Sequence, residues 1–226
     1  LAACGGEPPP PQADEAYVRT VFDAFAASFD EQLIKNLDYR APEALVAALT
    51  ARLEAPRAAL DVLDGGCGTG LCGPLIRPYA RRLVGVDLSG GMLEKATQRG
   101  GYDELVEAEL VAWLRADSSG WDIVLSADTL IYFGELVPVL SSAHAALRPG
   151  GWLAFTVEVL ETEEDRFELS SSGRYRHSRT CVERGLATAG FRESVIAEES
   201  LRKELGKQVA GWVVLARKNG PVTGVR

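Results

Sequence analysis

The sequence is poor in everything that would tie it to a metal, a nucleic acid or a membrane. It has four cysteines (Cys4, Cys67, Cys72, Cys181), none in a C-x-x-C pair, and two histidines. That supply argues against structural zinc and, in a chain of 226 residues, against a disulfide framework. No metal is expected, and reduced cytoplasmic thiols are. Lys and Arg form no cluster, and a net charge of -8 disfavours a surface that tracks phosphates. No apolar run approaches the ~20 residues of a membrane span. Nucleic acid and membrane are therefore not expected partners, and a small molecule is. The opening "LAAC" has the form of a lipoprotein cleavage box but no basic and apolar segment before it. Since the chain begins at Leu1 rather than Met, it reads as a piece of a longer or processed protein.

What is present is ordinary globular composition, 46% hydrophobic and 25% charged, enough for one domain with extensions. Residues 1–13, rich in Gly and Pro, read as a linker or the end of an upstream module. From Asp14, Val18, Val21, Phe22, Phe25 and Phe29 recur at helical spacing, and a second helix is predicted from Pro42 to Leu53. Residues 14–54 thus read as a helical cap. Apolar runs at 59–64, 82–87, 104–108, 121–127 and 151–158 then alternate with helical patterns near 71–80, 90–98, 109–115 and 134–147. Strands alternating with helices predict a parallel sheet covered on both faces. A helix at 178–189 and runs at 192–200 and 210–216, joined by a short link, predict a closing antiparallel hairpin. The domain is expected over 55–218, with a disordered tail at 219–226.

The stretch "LDVLDGGCGTGLCG" (60–73) places glycines after a strand and before a helix, where bare backbone lets a ligand approach. Two registers fit. Gly68-x-Gly70-x-x-Gly73 matches the dinucleotide fingerprint, while Asp64 followed by Gly66-x-Gly68-x-Gly70 matches D-x-G-x-G-x-G. A P-loop does not fit, because no Lys-Ser/Thr follows. Asp87, at the tip of the next strand, suits the vicinal hydroxyls of a ribose in either register. Asp64 suits a cationic ligand better than a pyrophosphate.

With "LDGGCGTG", "GVDLSGGMLEKA", "WDIVLSADTLIYF" and "LRPGGWLAFT" in order, residues 60–156 resemble class I S-adenosylmethionine-dependent methyltransferases. "YVRTVFDAFAASFDEQLIKNLDYRAP" and "GRYRHS" resemble, more narrowly, the methyltransferase domain of bacterial tetratricopeptide-repeat methyltransferases, in which the repeats come first. The resemblance implies a Rossmann-like, seven-stranded, mostly parallel α/β sheet with one antiparallel strand, helices on both faces and an N-terminal helical lid. It implies S-adenosyl-L-methionine as cofactor, with S-adenosyl-L-homocysteine as product. Asp64, Gly66, Cys67, Gly68 and Gly70 would line its methionine part and Asp87 its ribose. Leu88 and Met92 would flank the adenine, and Glu109 with Leu110 would stand near its amino group. Ser126, Ala127 and Asp128 end the fourth strand, where sulfonium and acceptor would meet. Two departures stand out: Glu109 replaces the usual Asp, and Gly65 replaces a bulky apolar residue.

On the acceptor side there is no Asn/Asp-Pro-Pro-Tyr and no Pro-Cys, which argues against adenine or glutamine amines and against covalent cytosine chemistry. A positioned base is needed only for a hydroxyl acceptor. His177 in "GRYRHS" is the first candidate, with Asp128 and Glu158 beside it as catalytic carboxylates. Tyr17, Tyr39, Tyr132, Arg174 and Tyr175 are candidate substrate contacts. The expected reaction is methyl transfer to a small molecule, with O-methylation favoured over N or C. The alternatives are an NAD-dependent oxidoreductase using the Gly68–Gly73 register and a non-catalytic cofactor-binding module.

Overall fold

The alternating apolar runs assemble into one sheet in the computed structural model, which describes residues 9–30, 38–204 and 206–220. Five parallel strands form its centre: β1 (Leu60–Gly65), β2 (Ala80–Asp87), β3 (Glu104–Glu107), β4 (Trp121–Ser126) and β5 (Leu147–Val159), in the order β3-β2-β1-β4-β5. β1 and β4 are almost wholly buried, as strands covered on both faces must be. The chain closes with the expected hairpin. β9 (Lys207–Arg217) runs antiparallel to β5 and to β8 (Glu193–Glu204), so β9 is the one reversed strand of the seven. Two short strands were not foreseen. β7 (Tyr175–His177) pairs parallel with β5 at Glu158 and Val159, and β6 (Phe167–Leu169) pairs antiparallel with β7.

Helices cover both faces. α2 (Ala41–Thr50) packs Leu45 and Leu49 on the face of Val62, Ile123 and Val213. The opposite face carries α5 (Leu110–Ala116), α6 (Val137–Ala146) and α7 (Arg179–Ala189) over Leu63, Val124 and Phe155. The helix expected over 71–80 contracts to α3 (Gly73–Ile76). Gly70 at its entrance has φ +83°, and Pro78 lacks the N–H that a longer helix would need. α4 (Gly90–Arg99) follows β2, capped by Ser89, whose side chain accepts from the Met92 N–H.

α1 (Glu15–Phe25) is capped by Asp14, but none of its residues is buried. Its apolar periodicity serves a cavity rather than a core. Val18 and Phe22 face a cleft at the carboxyl ends of β1 and β4, where the strand order reverses. That reversal point is the usual place for a ligand in an open α/β sheet. Among the described residues no helix is long and apolar enough to cross a membrane. The expected linker and tail fall partly on residues 1–8 and 221–226, outside the described residues.

Candidate functional site

The glycine loop is organised by what its missing side chains would strike. A Cβ on Gly66 (φ +72°) would lie 2.1 Å from Thr129 Oγ1. Among the described residues a Cβ on Gly68 (φ +54°) would meet nothing within 4 Å, and Gly68 lines the cleft. The Gly68 N–H donates to Asp87 Oδ2 at 2.8 Å, which holds the loop against the tip of β2. Gly70 and Gly73 turn away from the cleft. A Cβ on either would lie 2.9 or 2.8 Å from Cε2 of Tyr102. The dinucleotide register therefore presents one glycine to the cleft, and the D-x-G-x-G-x-G register presents two. Gly65 is accounted for as well, since Leu110 Cδ1 lies 2.8 Å from where its Cβ would be. The bulk expected at that position comes here from α5.

Asp64, Gly66, Cys67 and Gly68 line the cleft together with Asp87, Leu88 and Met92. Glu109 and Leu110 close that end. Asp64 is buried, accepts a 2.6 Å hydrogen bond from the Tyr102 hydroxyl, and is pushed up to about 7, mainly by burial. Asp87 is raised too, by burial, although the Gly68 and Ser89 N–H groups stabilise its charge. Each Asp87 oxygen has one such bond and a lone pair to spare for a hydroxyl. Glu109 spends both oxygens capping α5, accepting from the Val111 and Ala112 N–H groups. This donor set fits S-adenosylmethionine. An open glycine cradle, one carboxylate for an ammonium group and one for a diol all face the same cleft.

The far end is a charge cluster in which the expected Asp128, Glu158 and Arg174 gather around an arginine that the sequence did not announce. Arg202 lies on β8, its side chain 2% exposed, and donates from Nη1 to Asp128 (2.9 Å), from Nε to Glu204 (2.8 Å) and from Nη2 to Glu158. Burial works to lower its pKa, but the three carboxylates outweigh burial and raise it. Arg174 binds Glu204 beside it. Asp128, Arg174, Arg202, Tyr39 and Tyr132 all line the cleft. Asp128 sits just beyond β4 at φ +54°, a conformation that costs a non-glycine residue about 1–2 kcal/mol. Thr156 holds it there, accepting from the Asp128 N–H at 2.8 Å. Arg202 escapes the alternation of β8 through a bulge between Ser200 and Arg202, so Leu201 and Arg202 are both buried.

Besides Gly70, which was expected against the cofactor, five candidates lie outside the cleft wall. His177 is fully buried on β7, and its Nε2 donates to the Gly134 carbonyl at 3.0 Å. Burial lowers it to about 4, so the structure removes it as the cleft's base. Glu158 stands behind Arg202 rather than in the cleft wall, and burial raises it. Ser126 is buried, donating to the Gly65 carbonyl at 2.7 Å. Tyr175 is buried too, and its hydroxyl donates to the Pro10 carbonyl. Tyr17 is 57% exposed and points outward.

The cleft is roofed from the N-terminal side. Pro11 accepts from the Gly134 and Glu135 N–H groups, and the Ala13 N–H donates to the Tyr132 carbonyl. Residues 10–13, expected as linker, are thus a strap stitched to 132–135. Phe22 packs edge-on against both Phe29 and Tyr132. Asp23 accepts from Ser89 Oγ, and Asp30 accepts from Thr69 in the glycine loop, both at 2.5 Å.

Residues 63–153 match the family model of a methyltransferase domain. Over 146 residues the chain is 32% identical to a malonyl-[acyl-carrier protein] O-methyltransferase of Enterobacter lignolyticus, covering 65% of this chain and 55% of that one. It therefore spans about half the length of that curated relative. It is 34% identical over 99 residues to a trans-aconitate 2-methyltransferase of Paracidovorax citrulli, covering 43% of this chain and 38% of that one. In fold it superposes with TM-score 0.67 and 21% identity on a Burkholderia thailandensis 1,6-didemethyltoxoflavin-N1-methyltransferase, covering 94% of this chain and 93% of that one. The segment 63–153, which carries the glycine loop, Asp87 and Asp128, is thus similar to a methyltransferase domain.

Proposed function

We propose, from this similarity as premise, that the protein methylates an oxygen of a small-molecule acceptor held at the Asp128 end of the cleft. One observation carries the reading. Asp128 is fixed in a left-handed backbone at the end of β4, facing the same cleft as the glycine loop. Strain of that kind persists where surrounding contacts enforce it, and here Thr156 and Arg202 do so.

When bound, S-adenosylmethionine supplies a methyl group on a sulfonium, open to in-line displacement. Asp64, Gly66 and Gly68 would hold its amino-acid part and Asp87 its ribose, with Leu88 and Met92 beside the adenine. Fixing donor and acceptor in line contributes about 7–11 kcal/mol through proximity alone. Asp128 would take the proton of a hydroxyl acceptor, which adds roughly 10²–10⁴-fold. Tyr132, Tyr39 and Arg174 would orient that acceptor. The described residues of 14–54 would serve as a cap over a domain spanning the described residues of 55–218. Buried thiols at Cys67, Cys72 and Cys181 suit a bacterial cytoplasm. The Enterobacter malonyl-[acyl-carrier protein] O-methyltransferase and the Paracidovorax trans-aconitate 2-methyltransferase support transfer to a small or carrier-bound acid.

Calorimetric titration with S-adenosylmethionine and NAD side by side tests the cofactor. Binding of NAD alone would overturn the reading in favour of the oxidoreductase. Formation of S-adenosylhomocysteine across a panel of hydroxyl and carboxyl acceptors tests turnover. Asp128→Asn is expected to lower that turnover at least 10²-fold while leaving cofactor affinity unchanged. No product across the panel would leave the binding module instead.

A further inference from the structure

Tyr102 stands two residues before β3, yet it reaches the end of β1. Its ring occupies a slot whose walls are glycines. A Cβ at Gly70, Gly73 or Gly85 would lie 2.9, 2.8 or 3.0 Å from a ring atom. The slot leads to one point, because the hydroxyl ends 2.6 Å from Asp64 Oδ2. The backbone entering it is anchored independently. Asp103 exchanges hydrogen bonds with Leu83, its N–H to the Leu83 carbonyl at 2.9 Å and its carboxylate to the Leu83 N–H at 2.7 Å. Arg77 pairs with the same carboxylate at 2.6 Å. Three positions without side chains and two anchors thus deliver a single phenolic donor to a buried carboxylate. Asp64 faces the cleft, whereas Tyr102 does not line it.

We propose that Tyr102 is a positioning residue for the cofactor, aiming the Asp64 carboxylate at the amino-acid end of S-adenosylmethionine and favouring its charged form. This rests on the proposed cofactor and adds a residue outside the cleft wall. The groups facing Asp64 are the Tyr102 phenol, the Asp87 carboxylate at the tip of β2, and the Cys67 and Cys72 thiols of the loop. Burial and Asp87 raise Asp64, and the Tyr102 hydrogen bond is the contact that opposes them. A cationic ammonium group would draw the proton off Asp64 when it binds. Cofactor binding and deprotonation of Asp64 are then linked.

The test is calorimetry of the whole chain with two probes, S-adenosylhomocysteine and 5′-methylthioadenosine, which lacks the amino-acid part. Tyr102→Phe keeps the ring in its slot and removes only the donor. It should weaken S-adenosylhomocysteine about tenfold at pH 7 and move the pH midpoint of binding upward, leaving 5′-methylthioadenosine unchanged. In an Asp64→Asn background the same change should have no further effect. Equal losses for both probes, or an unchanged pH midpoint, overturn the proposal. A wild-type measurement stands apart from any folding defect. At pH 6, in two buffers of different ionisation enthalpy, S-adenosylhomocysteine binding should release a proton that 5′-methylthioadenosine does not. Binding without that release overturns the role of Tyr102 but leaves the cofactor intact. Absence of binding by the wild type removes the proposed function itself.

Discussion

Arg202 Nη1 donates to Asp128 at 2.9 Å across 74 residues of sequence, joining the last hairpin to the end of the fourth strand. With Arg202 2% exposed and Asp128 13%, the guanidinium is the counter-charge between Asp128 on the cleft wall and Glu158 behind it. Arg202→Met leaves those carboxylates buried without it, at a cost of about 3–5 kcal/mol in the folding free energy. Denaturant unfolding measures this. Adding Glu158→Gln should recover part of the loss, and a double variant no more stable than Arg202→Met alone would refute the pairing.

His177 makes stability depend on pH in a definite direction. The unfolded imidazole takes a proton below about 6.5, whereas the folded one resists until about 4 because of burial. The unfolded chain therefore binds more protons in that window, and stability falls as pH drops through it. Among the described residues the Nδ1 atom has no hydrogen-bond partner, so an imidazolium would bury a bare donor. The expected loss is about 3 kcal/mol by pH 4. Compared with His177→Gln, whose side chain does not titrate, wild type should lose that much more between pH 7.5 and 4. Parallel curves would rule the mechanism out.

Two glycines of one motif should fail differently when replaced by alanine. At Gly73 the new methyl meets the Tyr102 ring at 2.8 Å, an overpacking cost of about 1–3 kcal/mol, with cofactor affinity affected only secondarily. At Gly68 the methyl meets no protein atom and costs about 1–2 kcal/mol through its positive φ. Gly68 lines the cleft, so S-adenosylhomocysteine should bind more than tenfold weaker. Melting curves paired with titrations separate the two, and the reverse pattern would mean that the register is misread.

Truncation before Asp14 removes the carbonyls that hold the Tyr175 hydroxyl and the Gly134 and Glu135 N–H groups. Since those contacts lie by Tyr132, KM for the acceptor should rise several-fold while cofactor affinity changes less. Steady-state kinetics with a turned-over acceptor show whether the strap acts there.

The sheet was legible because burial on both faces leaves a plain apolar rhythm, and β1, β2 and β4 fall close to their expected positions. The glycine loop and Asp87 were legible because each stands at the end of a plain apolar strand, and both line the cleft. Asp128, Arg174, Tyr39 and Tyr132 were named for the far end, but Arg202 was not, for a physical reason. Arg202 faces inward only because a bulge breaks the two-residue alternation of β8, and "SLRKE" carries no mark of it. Space for that bulge comes from Gly211, where a Cβ would lie 2.1 Å from Leu201 Cδ1. His177 misled in the opposite way. A histidine in a shaped polar loop reads as exposed chemistry, yet β7 carries it into the core.

The Tyr102 slot alters what the glycine pattern means for descent. Gly73 is small on account of the Tyr102 ring alone, whereas Gly70 also has φ +83° and Gly85 is also crowded by Leu105 and Cys67, so positions 73 and 102 should be inherited as a unit. In sequences that lack an aromatic residue at position 102, position 73 is free to regain a side chain. The third glycine of an apparent dinucleotide fingerprint is then a marker of a neighbouring tyrosine and carries no information about the ligand.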